Sequence, residues 1–123
     1  MGSRYLVLLV EDDSICRKLF SRYLIHAGYE VVAVENGQMA LDCFQQAKEG
    51  GQRIACVVTD VKMPIMDGLA LARVLRQIAS DLPIVFLTGD PHDPLLQTEM
   101  VIEKPSQLHR LAHCLKEILN PRD

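Results

Sequence analysis

The chain has 123 residues, enough to bury one core and too few for two, so more than one domain is excluded. With 49% hydrophobic residues, 24% charged residues and a net charge of -3, it is composed like an ordinary globular protein, not a disordered one. Thirteen Lys and Arg scattered among sixteen Asp and Glu leave no basic stripe, which argues against direct nucleic-acid binding, and no apolar run approaches the roughly 20 residues that cross a bilayer.

Met1-Gly2-Ser3 begins like a myristoylation site but has Leu6 where a Ser or Thr is needed, and it is set aside from fold reasoning. Residues 5–10 form a continuous apolar run, and residues 31–34, 54–58 and 83–87 repeat that β-branched character, which predicts strands buried on both faces. Between them, apolar positions recur at spacings of three and four. Ile15, Leu19, Phe20, Tyr23 and Leu24 mark a first helix closed by Gly28. Met39, Ala40, Cys43, Phe44 and Ala47 mark a second closed by Gly50-Gly51, and Leu69, Ala72, Leu75, Arg76 and Ala79 mark a third. Residues 91–98 hold two prolines and little apolar pattern, so only a short or irregular helix fits there. A brief fifth strand over residues 100–103 and a last helix over 108–119, ended by Asn120-Pro121, complete the pattern. Strand alternating with helix implies right-handed crossovers and a doubly wound parallel sheet.

Four cysteines, Cys16, Cys43, Cys56 and Cys114, lie far apart inside apolar patterns, which reads as buried free thiols in a reducing compartment. The four histidines, His26, His92, His109 and His113, show no mutual spacing that demands a metal.

The polar residues that carry chemistry stand at strand ends. Glu11, Asp12 and Asp13 follow the first strand, where Asp13 or Ser14 also suits a helix cap. Asp60 ends the third strand, Thr88 ends the fourth and Lys104 follows the fifth, just before Pro105. Each has an unremarkable reading as a cap, turn or surface residue. Their coincidence on the C-terminal edge of a parallel sheet, where open α/β folds bind ligands, favours a shared site. Grouped carboxylates repel one another and suit a hard divalent cation such as Mg²⁺. A hydroxyl and an ammonium group suit phosphoryl oxygens.

With Glu11-Asp12-Asp13 after the first strand, Asp60 followed by Met63-Pro64 and Met66-Asp67-Gly68, Thr88-Gly89 and Lys104-Pro105, the chain resembles the response-regulator receiver family of two-component phosphorelays over residues 4–120. The resemblance implies a flavodoxin-like α/β fold with five parallel strands in the order 2-1-3-4-5, as in the chemotaxis regulator of that family. It implies that Asp60 accepts a phosphoryl group from a phosphohistidine of a sensor histidine kinase or histidine phosphotransfer domain. Asp12, Asp60 and the backbone carbonyl of Lys62 would ligate Mg²⁺, with Glu11 acting mainly through water. Thr88 and Lys104 would bind phosphoryl oxygens. It further implies a cis-linked Pro105, a cytoplasmic regulatory module with slow self-catalysed dephosphorylation, and an output domain or protein as downstream partner.

Two departures stand out. Val101 occupies the position where the family usually has an aromatic switch residue, and the stretch between Thr88 and Lys104 is short, so the fourth helix is expected to be truncated or remodelled. These features favour the alternative of a degenerate receiver that docks partners without phosphorylation; retention of the acidic, hydroxyl and lysine groups opposes it. An aspartyl phosphatase would need a second Asp where Lys62 stands, and no GxGxxG or GxxxxGK motif supports nucleotide binding. An ion pair between Lys62 and Asp90 across the site is a further expectation.

Overall fold

The computed structural model describes residues 5–119. Strands β1 (Leu6–Val10), β2 (Glu30–Val34), β3 (Ile54–Asp60), β4 (Ile84–Thr88) and β5 (Met100–Glu103) alternate with helices α1 (Ser14–His26), α2 (Gly37–Glu49) and α3 (Gly68–Ile78), and α4 (His109–Leu119) follows β5. One turn of 3-10 helix, Pro94–Leu96, stands where the fourth helix of the expected pattern would be. All neighbouring strands pair in parallel, in the order β2-β1-β3-β4-β5. This is the fold class and strand order expected from the sequence. The helices and strands match their expected positions to within a residue or two; the helix expected at residue 108 begins at His109. Asn120-Pro121 and the ends of the expected 4–120 domain lie outside the described residues.

The two-residue period of the strands divides the core into two layers. Val7, Leu9, Cys56, Val58, Val85 and Leu87 face α1 and α4, where Phe20, Leu24, Leu111 and Leu115 cover them. Leu8, Val10, Val57, Ile84 and Phe86 face α2 and α3. Because β1, β3 and β4 are covered on both sides, their sequences read as unbroken apolar runs. Each fully buried Leu, Val or Phe side chain contributes roughly 1.5–3 kcal/mol relative to exposure.

Three expectations need correction. β2 is not buried on both faces: it is an edge strand with Glu30, Val32 and Ala33 exposed, because among the described residues β1 is its sole strand neighbour. In α1, Ile15 and Leu19 are 78% and 52% exposed while Phe20 and Leu24 are buried. The two stripes lie about 140° apart around the helix, and only one can face the sheet. Of the four free cysteines only Cys56 is fully buried; Cys16, Cys43 and Cys114 are half-buried at helix margins.

Burial pushes the Cys56 thiol up to about 12 from an ordinary 9.0. The folded chain therefore holds it as a neutral thiol at pH values where the unfolded chain ionises it. Its stabilising contribution is complete below about pH 9 and is lost as pH rises towards the folded value. Since thiolates are the species that alkylate, iodoacetamide at pH 8 is expected to modify Cys16, Cys43 and Cys114 well before Cys56. Peptide mapping that finds Cys56 labelled as fast as the others in the folded protein would contradict this burial.

Candidate functional site

Strand register brings the polar residues together. Val10 pairs with Thr59, so Glu11 and Asp12 leave β1 beside the end of β3, where Asp60 stands. Asp60 pairs with Leu87 and Thr88 with Glu103, which carries the same edge across to Thr88 and Lys104. Glu11, Asp60 and Thr88 are 1%, 8% and 6% exposed, whereas Asp12 is open to solvent. Carboxylate oxygens of Glu11, Asp12 and Asp60 all lie within 4.8 Å of one another. Among the described residues no His or Cys joins such a group.

The centre of the site is the Lys104 ammonium. Its Nζ donates to Glu11 Oε1 at 2.7 Å and to Asp60 Oδ2 at 2.9 Å. Burial alone would lower the Lys104 pKa, but the hydrogen bonds that its ammonium donates to Glu11 and Asp60 outweigh it and hold the ammonium above its ordinary value. For Glu11 burial is the larger influence: it raises the carboxyl above the ordinary range despite the Lys104 bond and the Asp13 amide. Thus Glu11, expected to act mainly through water, has Lys104 as its direct partner here. The remaining oxygens are also engaged: the Asp13 N–H donates to Glu11 Oε2 at 3.1 Å and the Val61 N–H to Asp60 Oδ1 at 2.8 Å. Asp12 is the exception, since among the described residues its carboxylate makes no hydrogen bond or ion pair. Three carboxylates around one ammonium, one of them unengaged and solvent-facing, are a hard-oxygen donor set that fits Mg²⁺.

Local backbone holds this arrangement. Asp13 caps α1 by accepting from the Ile15 and Cys16 N–H groups, both at 2.9 Å; the Cys16 bond contributes most to holding its carboxyl below the usual range. The Thr88 hydroxyl accepts from the Asp90 N–H at 3.0 Å, and the Thr88 carbonyl accepts from the Lys104 N–H at 2.9 Å. The Lys104-Pro105 bond is cis, as the resemblance implies.

The loop after Asp60 explains the Met66-Asp67-Gly68 pattern. Asp67 caps α3 through the Ala70 N–H at 2.8 Å, and the Gly68 N–H donates to the Val61 carbonyl at 2.7 Å. A Cβ on Gly68 would collide with the Asp60 carbonyl oxygen, so no other residue lets α3 start this close to the site. Ile65 has φ 72°, a left-handed conformation costing a β-branched residue about 1–2 kcal/mol. The turn closed by the Met66 N–H on the Pro64 carbonyl at 2.8 Å, and the bond from the Gly37 N–H to the Met66 carbonyl at 3.2 Å, hold it there.

Some expected contacts are absent, and some present ones carry no sequence signal. Lys62 follows Asp60 in the loop with an exposed side chain, and among the described residues neither it nor Asp90 enters an ion pair. Exposed pairs gain little against the side-chain entropy they freeze. Val101 is half-buried against the α2–α3 layer. Unforeseen were Arg17, whose Nη1 donates to the Glu11 carbonyl at 2.8 Å, and Thr59, whose hydroxyl donates to the Asp60 carbonyl at 2.8 Å. No spacing rule marks a side chain that anchors backbone.

The sequence matches the response regulator receiver domain family over residues 7–116, and the chain belongs to that family. Within it, the response regulator receiver protein CpdR of Brucella abortus is 33% identical over 119 residues, covering 92% of this chain and 95% of CpdR. The sensor kinase CckA of the same organism is 34% identical over 123 residues, covering 95% of this chain but only 13% of CckA. Among solved structures, the complex of histidine kinase ThkA with response regulator protein TrrA contains a chain that superposes with a TM-score of 0.81 at 28% identity, over 94% of this chain and 99% of that one. Among the described residues no helix is long and apolar enough to cross a membrane.

Three carboxylates against one ammonium leave two negative charges uncompensated, so Asp12 repels its neighbours when no cation is bound. Asp12→Asn is expected to relieve about 1 kcal/mol of that repulsion and to raise the metal-free Tm by about 4 °C. The wild-type Tm should climb with added Mg²⁺ by mass action and the variant's should stay flat. Thermal melts with and without Mg²⁺ check this; a variant that melts lower, or that still responds to Mg²⁺ like wild type, contradicts it.

Proposed function

We propose that this receiver domain takes a phosphoryl group onto Asp60 in a Mg²⁺-dependent reaction. The observation that carries the proposal is the meeting of Glu11, Asp12, Asp60, Thr88 and Lys104 on one strand edge, with the Lys104 ammonium already touching Asp60 at 2.9 Å. In the reaction one Asp60 oxygen bonds to phosphorus as the phosphorus–nitrogen bond of a phosphohistidine breaks. The imidazole nitrogen departs with the bonding electron pair and takes up a proton, leaving an acyl phosphate on Asp60.

Each residue has a part in that transfer. Glu11, Asp12, Asp60 and the Lys62 backbone carbonyl would hold the Mg²⁺, whose charge, when bound, offsets that of the phosphoryl oxygens. Lys104 turns from Glu11 towards a phosphoryl oxygen, and the Thr88 hydroxyl turns from the Asp90 amide to donate to another. Both groups already stand in the site, so only a small reorientation opposes transfer.

The phosphoryl donor is a sensor histidine kinase or a histidine phosphotransfer domain. The matching segment within the sensor kinase CckA and the ThkA–TrrA complex both support that pairing. Phosphorylation then changes a surface read by an output domain or protein, within the cytoplasm. The rival reading, a phosphorylation-independent docking module, draws on Val101 and the single 3-10 turn at Pro94–Leu96. It leaves unexplained why the buried Glu11 and Asp60 and the half-buried Lys104 meet at one point.

Incubation with acetyl phosphate and Mg²⁺ is expected to add the mass of one phosphoryl group to the intact chain. Asp60→Asn and addition of excess EDTA should each abolish the adduct. An adduct that persists in Asp60→Asn, or none in wild type, would sink the proposal.

A further inference from the structure

Between Thr88 and β5 the chain is a succession of single turns. The Leu96 N–H reaches the Asp93 carbonyl at 2.9 Å and the Glu99 N–H reaches the Leu96 carbonyl at 3.0 Å, with no longer helix to stiffen them. Two attachments to α3 hold the far end of this segment. Leu96 is 2% exposed and shares a cluster with Leu71, Ala72 and Leu75. Three residues later, Glu99 accepts from both guanidinium arms of Arg76, from Nη2 at 2.6 Å and from Nη1 at 3.0 Å. A bidentate Arg–carboxylate pair fixes geometry as well as charge. The Glu99 side chain is 14% exposed and that of Arg76 42%, against 76% and 69% for the His113–Glu117 pair on α4. The Arg76 hydrogen bonds also hold the Glu99 carboxyl below its usual range.

The near end is much less constrained. Gly89 and Asp90 are exposed, Leu95 is 70% exposed, and among the described residues the side-chain tie to the site is the bond from the Asp90 N–H to the Thr88 hydroxyl. If Thr88 turns to a phosphoryl oxygen, Asp90 loses that acceptor and the turn beyond it is released. Along the chain, that disturbance meets Leu96 and the Arg76–Glu99 pair before it reaches the start of β5. Val101 is a half-buried aliphatic residue with no polar group to follow Thr88.

We infer that the Arg76–Glu99 ion pair is a clamp that halts the response to Asp60 phosphorylation passing along the chain at the 3-10 turn, so that residues 89–95 change and residues 97–103 do not. The inference rests on the reading of Asp60 and Thr88 proposed above. The clamp takes over the fastening that a full helix would provide: α3 on one side, the entry to β5 on the other. It also makes Leu95, exposed at the edge of the released segment, the apolar side chain best placed to report the change.

Hydrogen–deuterium exchange of the whole chain, with and without Mg²⁺ and beryllofluoride, tests the clamp. In wild type, the beryllofluoride-dependent change should cover peptides containing Asp60 and residues 89–95 and leave residues 97–103 unaltered. In Arg76→Gln, and in Glu99→Gln, which leaves no uncompensated carboxylate, the change should spread into residues 97–103 with exchange there altered about tenfold. The exchanged pair Arg76→Glu with Glu99→Arg should confine it again. A wild-type change that already reaches 97–103, single variants that behave like wild type, or an exchanged pair that fails to restore confinement overturns the clamp. Absence of any beryllofluoride effect at the Asp60 peptide instead removes the phosphoacceptor reading, and the clamp with it.

Discussion

The Lys104 ammonium, held between Glu11 and Asp60, is the contact on which the arrangement of the site turns. A buried carboxylate such as Glu11 is strongly disfavoured without a counter-charge, and an ammonium withdrawn from water is disfavoured without an acceptor. Each satisfies the other, and Asp60 shares the same cation. The three residues are the one after β1, the last of β3 and the one after β5, so the contact forms only if the sheet is assembled in its observed order and register. One polar interaction therefore reports on the whole parallel sheet. It also sets the chemistry: an ammonium already at Asp60 needs only a small reorientation to meet charge that develops there.

Around that contact the backbone is packed unusually close. Gly68 lets the start of α3 rest against the Asp60 carbonyl, and Gly37 lets the start of α2 rest against Met66. Between them the loop holds Ile65 in a conformation that a β-branched residue rarely adopts. The strain is tolerated because hydrogen bonds on both sides of the residue over-determine the loop. The result is an Asp60 whose main-chain surroundings are rigid while its carboxylate faces the acidic opening.

Much of this was readable from residue order, for identifiable reasons. Strands covered on both faces must be apolar throughout, so β1, β3 and β4 announce themselves, and Asp60 and Thr88 are conspicuous as the polar residues that end β3 and β4, with Lys104 just beyond β5. The short segment before β5 was visible as a failure of helical spacing around two prolines. What stayed hidden depends on tertiary placement. Periodicity gives Ile15 and Leu19 the same helical credentials as Phe20 and Leu24, and only the packed sheet decides which stripe is buried. Edge position, not composition, leaves β2 half-exposed. The direct reach of Glu11 to Lys104 and the Arg76–Glu99 pair join residues 93 and 23 positions apart, beyond any local rule.

The site and its readout thus have different standing in the fold. The acidic edge is assembled by the sheet itself, whereas the segment that would carry a signal away is reduced to turns fastened to α3. The central claim is that Lys104 exchanges a carboxylate partner for a phosphoryl oxygen at Asp60. A crystal structure with Mg²⁺ and beryllofluoride tests it most directly. The expected result is beryllofluoride on Asp60, the cation against Asp12 and Asp60, and fluorines within hydrogen-bond distance of Lys104 Nζ and Thr88 Oγ1. A structure in which Asp60 carries beryllofluoride while Lys104 still donates only to Glu11 and Asp60, or in which Asp60 carries none, would contradict it.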